Sequence, residues 1–333
     1  MFEFLGISLL LAGLLAFNSF ASVVTSGLWR VCLPLTSRWP AHTRARLIFL
    51  LRILPALLAI FCGAFLLAPA YLTFEPRHTD ETVSLKLGVL ALLSAIGIGF
   101  AIFRSIAAWR ATARLTADWL RAAEPIRIDN VKITTFRIDH AFPVIAIVGV
   151  LRPRLFIANQ VLEILSDEEI EAAIAHENGH LRARDNLKRG LMRACRDALL
   201  ILPTGRSLDN EWSEAAEEAA DEHAAQKGFG VALDLASALV KIARNIPKGA
   251  RPTMPAGVFL IGDQNTGIKW RVGRLVDLSQ RCHQPEMLSS SFVSWLIWIA
   301  FITSLSALAV IFNSQTVLAS VHALIEQAVS FLR

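Results

Sequence analysis

Charge is scarce in this chain. Only 18% of its 333 residues are Asp, Glu, Lys or Arg, 54% are hydrophobic, and mean hydropathy is +0.49. A soluble domain of ordinary composition carries about 25% charged residues, so an evenly solvated globule is excluded. Cysteine is sparse as well: Cys32, Cys62, Cys195 and Cys282 stand far apart with no CxxC pair, which excludes a disulfide framework and a thiolate metal site. Tyrosine occurs once, as Tyr71 inside an apolar run, so no tyrosine hydroxyl serves a polar site elsewhere. No Lys or Arg precedes the first apolar run. A signal peptide's basic leader is therefore missing, and the run reads as a retained span. Zinc-finger, RNP-type and leucine-zipper patterns are absent. The net charge of +5 comes from Arg residues beside the apolar runs, so the basic balance points to a membrane surface and away from direct nucleic-acid binding.

Four apolar runs are present: Phe4–Leu28, Ile53–Leu72, Leu87–Phe103 and Phe292–Phe312. A bilayer core takes about 20 residues of helix, so each is expected to cross. Pro55 and Pro69 are tolerable there, and Trp295 and Trp298 suit an interfacial anchor. Arg30, Arg38, Arg44 and Arg46 follow the first run, and Arg104, Arg110, Arg114 and Arg121 follow the third. Arg271, Arg274 and Arg281 precede the fourth, whereas Glu75, Asp80 and Glu81 stand against Arg77 and Lys86 between the second and third. The positive-inside rule then puts the amino terminus outside. The expected organisation is a three-span region over 1–103, a cytoplasmic domain over 104–291, a fourth span over 292–312 and a short amphipathic extracytoplasmic tail over 313–333. The fold class is a mainly α membrane protein with four transmembrane helices and a small α+β domain. Its oligomeric state is not legible.

The cytoplasmic part opens with a basic helix-like stretch, RSIAAWRATARLTADWLRAAEP, continuing the third span. VKITTFRID, FPVIAIVGV and RPRLFIAN read as strands. Ser166 and Glu169 form a capping box, with Asp167 and Glu168 in the first turn of the helix they start. NLKRGLMRACRDALLILP lies on the membrane surface or packs as a core helix, the former preferred. NEWSEAAEEAADEHAAQKG reads as a helix closed by Gly228, and VALDLASALVKIARNIP as another.

Residues 176–180 read His-Glu-Asn-Gly-His, an HExxH motif. On a helix, positions i and i+4 lie about 40° apart around the axis, so His176 and His180 can grip one Zn²⁺. Glu177, about 100° from His176, is then placed to take a proton from an activated water and pass it to a leaving amine. By composition the motif arises by accident roughly once in a hundred such sequences, so a third ligand has to support it. In WSEAAEEAADEHAA, the residues Glu214, Glu217 and Asp221 share one face, and Glu217 is the chosen ligand. Asp221, one turn on, is placed to hold a ligand imidazole. Asp185 either orients a ligand or closes its helix against Arg182 or Arg184. His42, His78, His140, His283 and His322 are isolated and receive no role. An oxyanion helper would have to be His223 or an Arg.

The run PVIAIVGVLRPRLFIANQVLEILSDEEIEAAIAHENGHLRARDNL, with EEAAD about forty residues after His176, resembles the BlaR/MecR-type integral-membrane zinc metallopeptidases. These are gluzincins with a zincin-like domain. A second group, the HtpX and CAAX-prenyl proteases, shares HExGH and E-x-x-A-D. The resemblance implies one zinc per chain on His176, His180 and Glu217, with Glu177 as general base and Asp185 and Asp221 as the family's aspartates. It also implies a bacterial cytoplasmic membrane and a peptide that pairs with an edge strand, FPVIAIVGV or RPRLFIAN. In the antibiotic sensors a large penicillin-binding domain follows the last span. Here about twenty residues remain after it, so β-lactam sensing through such a domain is not expected. The function implied is endopeptidase cleavage of a cytoplasmic or membrane-adjacent protein, a transcriptional repressor among the candidates. The alternatives are a signalling or scaffold protein with a structural or silent zinc site and an HtpX-like quality-control protease.

Overall fold

Apolar segments in lipid must satisfy their backbone groups internally, and a helix does so with no help from neighbours. A computed structural model of the chain describes residues 2–36, 39–77, 83–128, 131, 133–197, 206–228, 230–246, 265–280 and 314–332, together with 299, 303, 306 and 307. Among these residues, three helices are long and apolar enough to cross a membrane: α1 (Phe2–Thr36), α2 (Ala41–Phe74) and α3 (Leu85–Ala122). They support an integral membrane protein. Large side chains on their outer faces, such as Phe20 (72% exposed) and Leu72 (67%), stand open, a surface that suits lipid and would be a liability in water. Pro55 sits inside α2, and the helix widens to a π-turn over Gly63–Leu67. Each helix outruns its predicted run, and α3 carries straight through the basic stretch after Phe103. The fourth predicted run, 292–312, lies outside the described residues except at the four single positions.

Glu124 and Pro125, read from sequence as the end of that basic helix, instead belong to a strand, β1 (Glu124–Ile126). The others are β2 (Thr135–Ile138), β3 (Ile145–Val148) and β4 (Arg154–Ala158), in the order β1-β2-β4-β3. β2 and β4 run parallel, and the other pairs antiparallel. Of the two candidate edge strands, RPRLFIAN forms the interior β4 and FPVIAIVGV forms β3 at the edge.

The remaining elements are α4 (Asn159–Ile164), α5 (Asp167–Ala183), α6 (Asp185–Asp197), α7 (Arg206–Ala225), α8 (Val231–Asn245), α9 (Asn265–Gln280) and α10 (Gln315–Leu332). The capping box opens α5: Glu169 N donates to Ser166 Oγ (3.4 Å) and Ser166 N to Glu169 Oε2 (2.9 Å). Phe156 and Ile157 of β4 pack with Ile174 of α5 and Leu235 and Leu239 of α8 in the main core. α6 packs by Met192 into a second cluster with Trp29, Ile48, Leu208 and Trp212, while Leu187 and Leu191 stay exposed. Gly228 does not close α7, which ends at Ala225. The left-handed turn falls on Gly230 (φ 96°), at the start of α8.

That second cluster joins the membrane hairpin to α7, and polar ties reinforce it. Trp29 Nε1 donates to Glu211, Arg44 pairs with Glu218, Arg52 Nε donates to Asp209 (2.8 Å) and Ala41 N donates to Glu222 (3.2 Å). All four carboxylates belong to α7. Removing one partner of a buried ion pair costs more than replacing both, because the survivor is stranded. Arg52→Ala is therefore expected to destabilise the protein by up to about 3 kcal/mol, and Arg52→Met with Asp209→Leu by clearly less. Thermal unfolding of the purified protein in detergent checks the order; an equal loss in both variants would contradict it.

Candidate metal centre

α5 crosses α7 closely enough to bring a carboxylate to the histidines. A Cβ on Gly179 would meet Ala220 Cα at 2.9 Å and Ala220 Cβ at 3.2 Å, so a side chain at this position would push the helices apart. The glycine inside HENGH is there for the crossing. Ala220 lies between Glu217 and Asp221 on α7, and the contact delivers both carboxylates to the histidines.

His176 Nε2 lies 3.6 Å from Glu217 Oε2, and His180 Nε2 lies 3.6 Å from Glu217 Oε1. The opposite ring nitrogens are engaged: His176 Nδ1 stands 2.9 Å from Asp221 Oδ1, and His180 Nδ1 stands 2.8 Å from Asp185 Oδ2. Each carboxylate engages its ring at Nδ1 and turns Nε2 towards Glu217. The second oxygen of Asp185 is reached by Lys188 (3.3 Å), and neither Arg182 nor Arg184 takes that place. Glu214, on the same predicted face as Glu217, is not in this group.

A metal suits the donors as they stand. One ligand atom each from His176, His180 and Glu217 lies within 4.8 Å of the others. His176 Nε2 is buried without a hydrogen-bond partner, a costly arrangement that a cation beside it relieves. Two imidazoles and a carboxylate are a set typical of catalytic Zn²⁺, which takes three protein ligands and keeps a position open.

Sequence reading missed one contributor. Arg271, counted there among the basic residues before a span, is buried on α9 and forks onto Asp221, with Nε to Oδ2 at 3.0 Å and Nη2 to Oδ1 at 2.6 Å. Its Nη1 stands 3.1 Å from Glu217 Oε2. The residues between Asn245 and α9 give no periodic signal tying Arg271 to HENGH, so only the folded arrangement reveals it. Arg274, one turn away, pairs with Glu222 and donates to the Glu218 carbonyl (3.1 Å), holding α7 from that side.

These contacts shift the titration of the buried groups. Burial works against charge on His176, but the hydrogen bond to Asp221 and the Glu217 carboxylate 3.6 Å away outweigh it and hold the imidazole up at about 9. Burial also raises Glu217 and Asp221, yet His180 and Arg271 pull Glu217 well below the usual carboxylate range, and Arg271 and His176 pull Asp221 down. Glu177 differs: burial pushes its carboxyl up, and the opposing charges of His180 and His176 do not cancel that. Its Oε2 accepts from the Ile147 N–H of β3 (3.1 Å), and Asn186 Nδ2 donates to the Ile147 carbonyl (3.1 Å). A small cleft opens here, lined by Ile147, Glu177, His180, Leu181, Asp185, Asn186, Arg189 and Glu217. His223 does not line it. Burial, with Arg182 and Lys227, keeps that imidazole below its ordinary value.

Residues 110–245 match the model of peptidase family M48. The match starts within α3, takes in the sheet and the helices carrying His176, Glu177, His180, Glu217 and Asp221, and stops before Arg271. It supports a metallopeptidase, a hydrolase of peptide bonds, and zinc as the metal the family uses. It stands at the level of M48, not of the BlaR/MecR or HtpX groups within the resemblance. No curated protein matches the chain.

Two outcomes are expected. Gly179→Ala separates α5 from α7 at a cost of about 1–3 kcal/mol and lowers zinc content, whereas Gly190→Ala, where a Cβ meets nothing within 4 Å, leaves zinc content unchanged. Metal analysis after dialysis checks this, and unchanged content in Gly179→Ala contradicts the crossing argument. Asp221→Asn and Asp185→Asn each weaken zinc about 10–100-fold, measured by competition with a chromophoric chelator; wild-type affinity in both variants would remove the orienting role.

Proposed function

We propose that the chain is a zinc-dependent endopeptidase of the membrane, with His176, His180 and Glu217 holding one zinc and Glu177 acting as general base. The observation that carries this is the division of the imidazoles: both Nδ1 atoms are tied to aspartates, and both Nε2 atoms converge on a carboxylate that arrives from another helix. A zinc ion there supplies Lewis-acid chemistry, polarising a carbonyl and making water acidic near neutral pH.

The chain's own residues do the rest. The raised Glu177 carboxyl is a stronger base than an exposed glutamate and accepts a proton from the attacking water at Oε. The same carboxyl returns that proton to the nitrogen of the leaving peptide. Asp185 and Asp221 keep the rings in register, and Arg271 neutralises Asp221. β3 supports binding of an extended peptide along its free edge. The Ile147 N–H and C=O point that way, towards Glu177 and Asn186, so a peptide pairing at this position exchanges partners with those side chains. Arg189, in the cleft wall, is an available donor for substrate carbonyls.

The substrate class is a cytoplasmic or membrane-adjacent protein, a transcriptional repressor in the regulatory form and a quality-control substrate in the HtpX-like form. The arrangement in the membrane follows the arginine distribution: amino terminus outside, residues 104–291 as the cytoplasmic metallopeptidase domain, 292–312 as a fourth span and 313–333 outside again. A silent or structural zinc site in a signalling protein is the competing reading, and it gives Glu177 no task.

Glu177→Gln tests this. The variant is expected to keep zinc while cleavage in cells expressing it falls about 10²–10⁴-fold, with uncut substrate accumulating in a comparison of proteomes. If wild type and Glu177→Gln give identical proteomes, the endopeptidase reading fails.

A further inference from the structure

Histidine and carboxylates also converge far from HENGH. Glu75 lies just beyond the C-terminal end of α2, and His322 and Glu326 stand one turn apart on α10. One ligand atom from each lies within 4.8 Å of the other two, the same limit that His176, His180 and Glu217 meet. The helical spacing is again i and i+4, which puts His322 and Glu326 about 40° apart on one face. The His322 ring stacks on Phe74 with centroids 5.8 Å apart, bringing it over the helix end beside Glu75. Its Nδ1 is buried and has no hydrogen-bond partner among the described residues. A buried ring nitrogen left so costs free energy that a ligated ion recovers. Glu75 is 7% exposed, which keeps its carboxylate out of bulk water, where a cation nearby is worth most. Leu318, Ile325 and Val329 of α10 pack against Ala70 of α2 and fix the register of the two helices.

We propose that Glu75, His322 and Glu326 form a second divalent-cation site that clips α10 to the end of α2. One imidazole and two carboxylates favour zinc or a similar transition metal over calcium and magnesium, which take oxygen ligands. The site lies at the end of α2 opposite Ala41, Arg44 and Arg52, the residues that tie this helix to α7. At about 1.5 Å per residue of helix, the two ends are about 50 Å apart, so this ion takes no part in peptide cleavage. Its role is to order α10 in response to metal on that side of the membrane. The site stands whether or not the chain is a peptidase.

The test uses the full-length protein in detergent micelles, stripped with chelator, dialysed against Zn²⁺ and assayed for metal and for hydrogen exchange. Wild type is expected to hold two zinc ions per chain, one for each group. Glu326→Gln, a change at an exposed position, and His322→Gln each hold one. The variant carrying both His176→Ala and His180→Ala also holds one, and loses it when His322→Gln is added. Exchange over residues 315–332 slows in wild type by up to about 100-fold at zinc about 100 times the dissociation constant, and does not change with zinc in Glu326→Gln. Unchanged zinc content in both His322→Gln and Glu326→Gln, or zinc-independent exchange of α10 in wild type, overturns the proposal.

Discussion

At Gly179 the α5 and α7 backbones approach until a Cβ would lie 2.9 Å from Ala220 Cα, and from that contact the chemistry of the site follows. A turn of HExxH presents two imidazoles on any helix, but a catalytic metal needs a third protein donor. The crossing places Glu217 beside both Nε2 atoms and Asp221 beside one Nδ1. Burying carboxylates is costly unless they are paired, and each here has a counterpart: Asp221 in Arg271 and His176, Asp185 in Lys188 and His180, and Glu217 in Arg271 and the imidazoles. A cation among Nε2, Nε2 and Oε completes that pairing and adds nothing unbalanced.

α7 belongs to two structures at once. One face contributes Glu217 and Asp221 to the centre. Asp209, Glu211, Glu218 and Glu222 fasten it to α1 and α2. α7 is thus held both by the membrane hairpin and by Arg271 and Arg274 of α9. A displacement of α1 and α2 therefore acts directly on the helix that completes the site, with no intervening loop to absorb it. This construction gives the apolar helices a part in the geometry of the candidate site beyond anchorage.

The pattern of residues exposed some of this and hid the rest. Long apolar runs mark helices because lipid leaves no other solution for the backbone, and Phe2–Thr36, Ala41–Phe74 and Leu85–Ala122 follow from them. The i and i+4 spacing of His176 and His180, and the Ser166–Glu169 capping box, are local, so they can be read without a fold. The face shared by Glu217 and Asp221 is local too, although whether it meets HENGH is a tertiary fact. Arg271 was hidden for that reason: an arginine before an apolar run looks the same whether it faces a headgroup or a buried aspartate. His322 looked isolated because Glu75, its neighbour in space, lies almost 250 positions away in the chain. The two candidate edge strands had similar composition, and only the order β1-β2-β4-β3 separates them.

Whether Glu217 reaches the same ion as His176 and His180 decides the reading of the site. A structure of the zinc-loaded full-length protein with anomalous data at the zinc edge measures this directly. The expected result is a peak about 2.0–2.2 Å from His176 Nε2, His180 Nε2 and a Glu217 carboxylate oxygen. A peak ligated by other residues, or no peak at HENGH in protein shown to carry zinc, would contradict it.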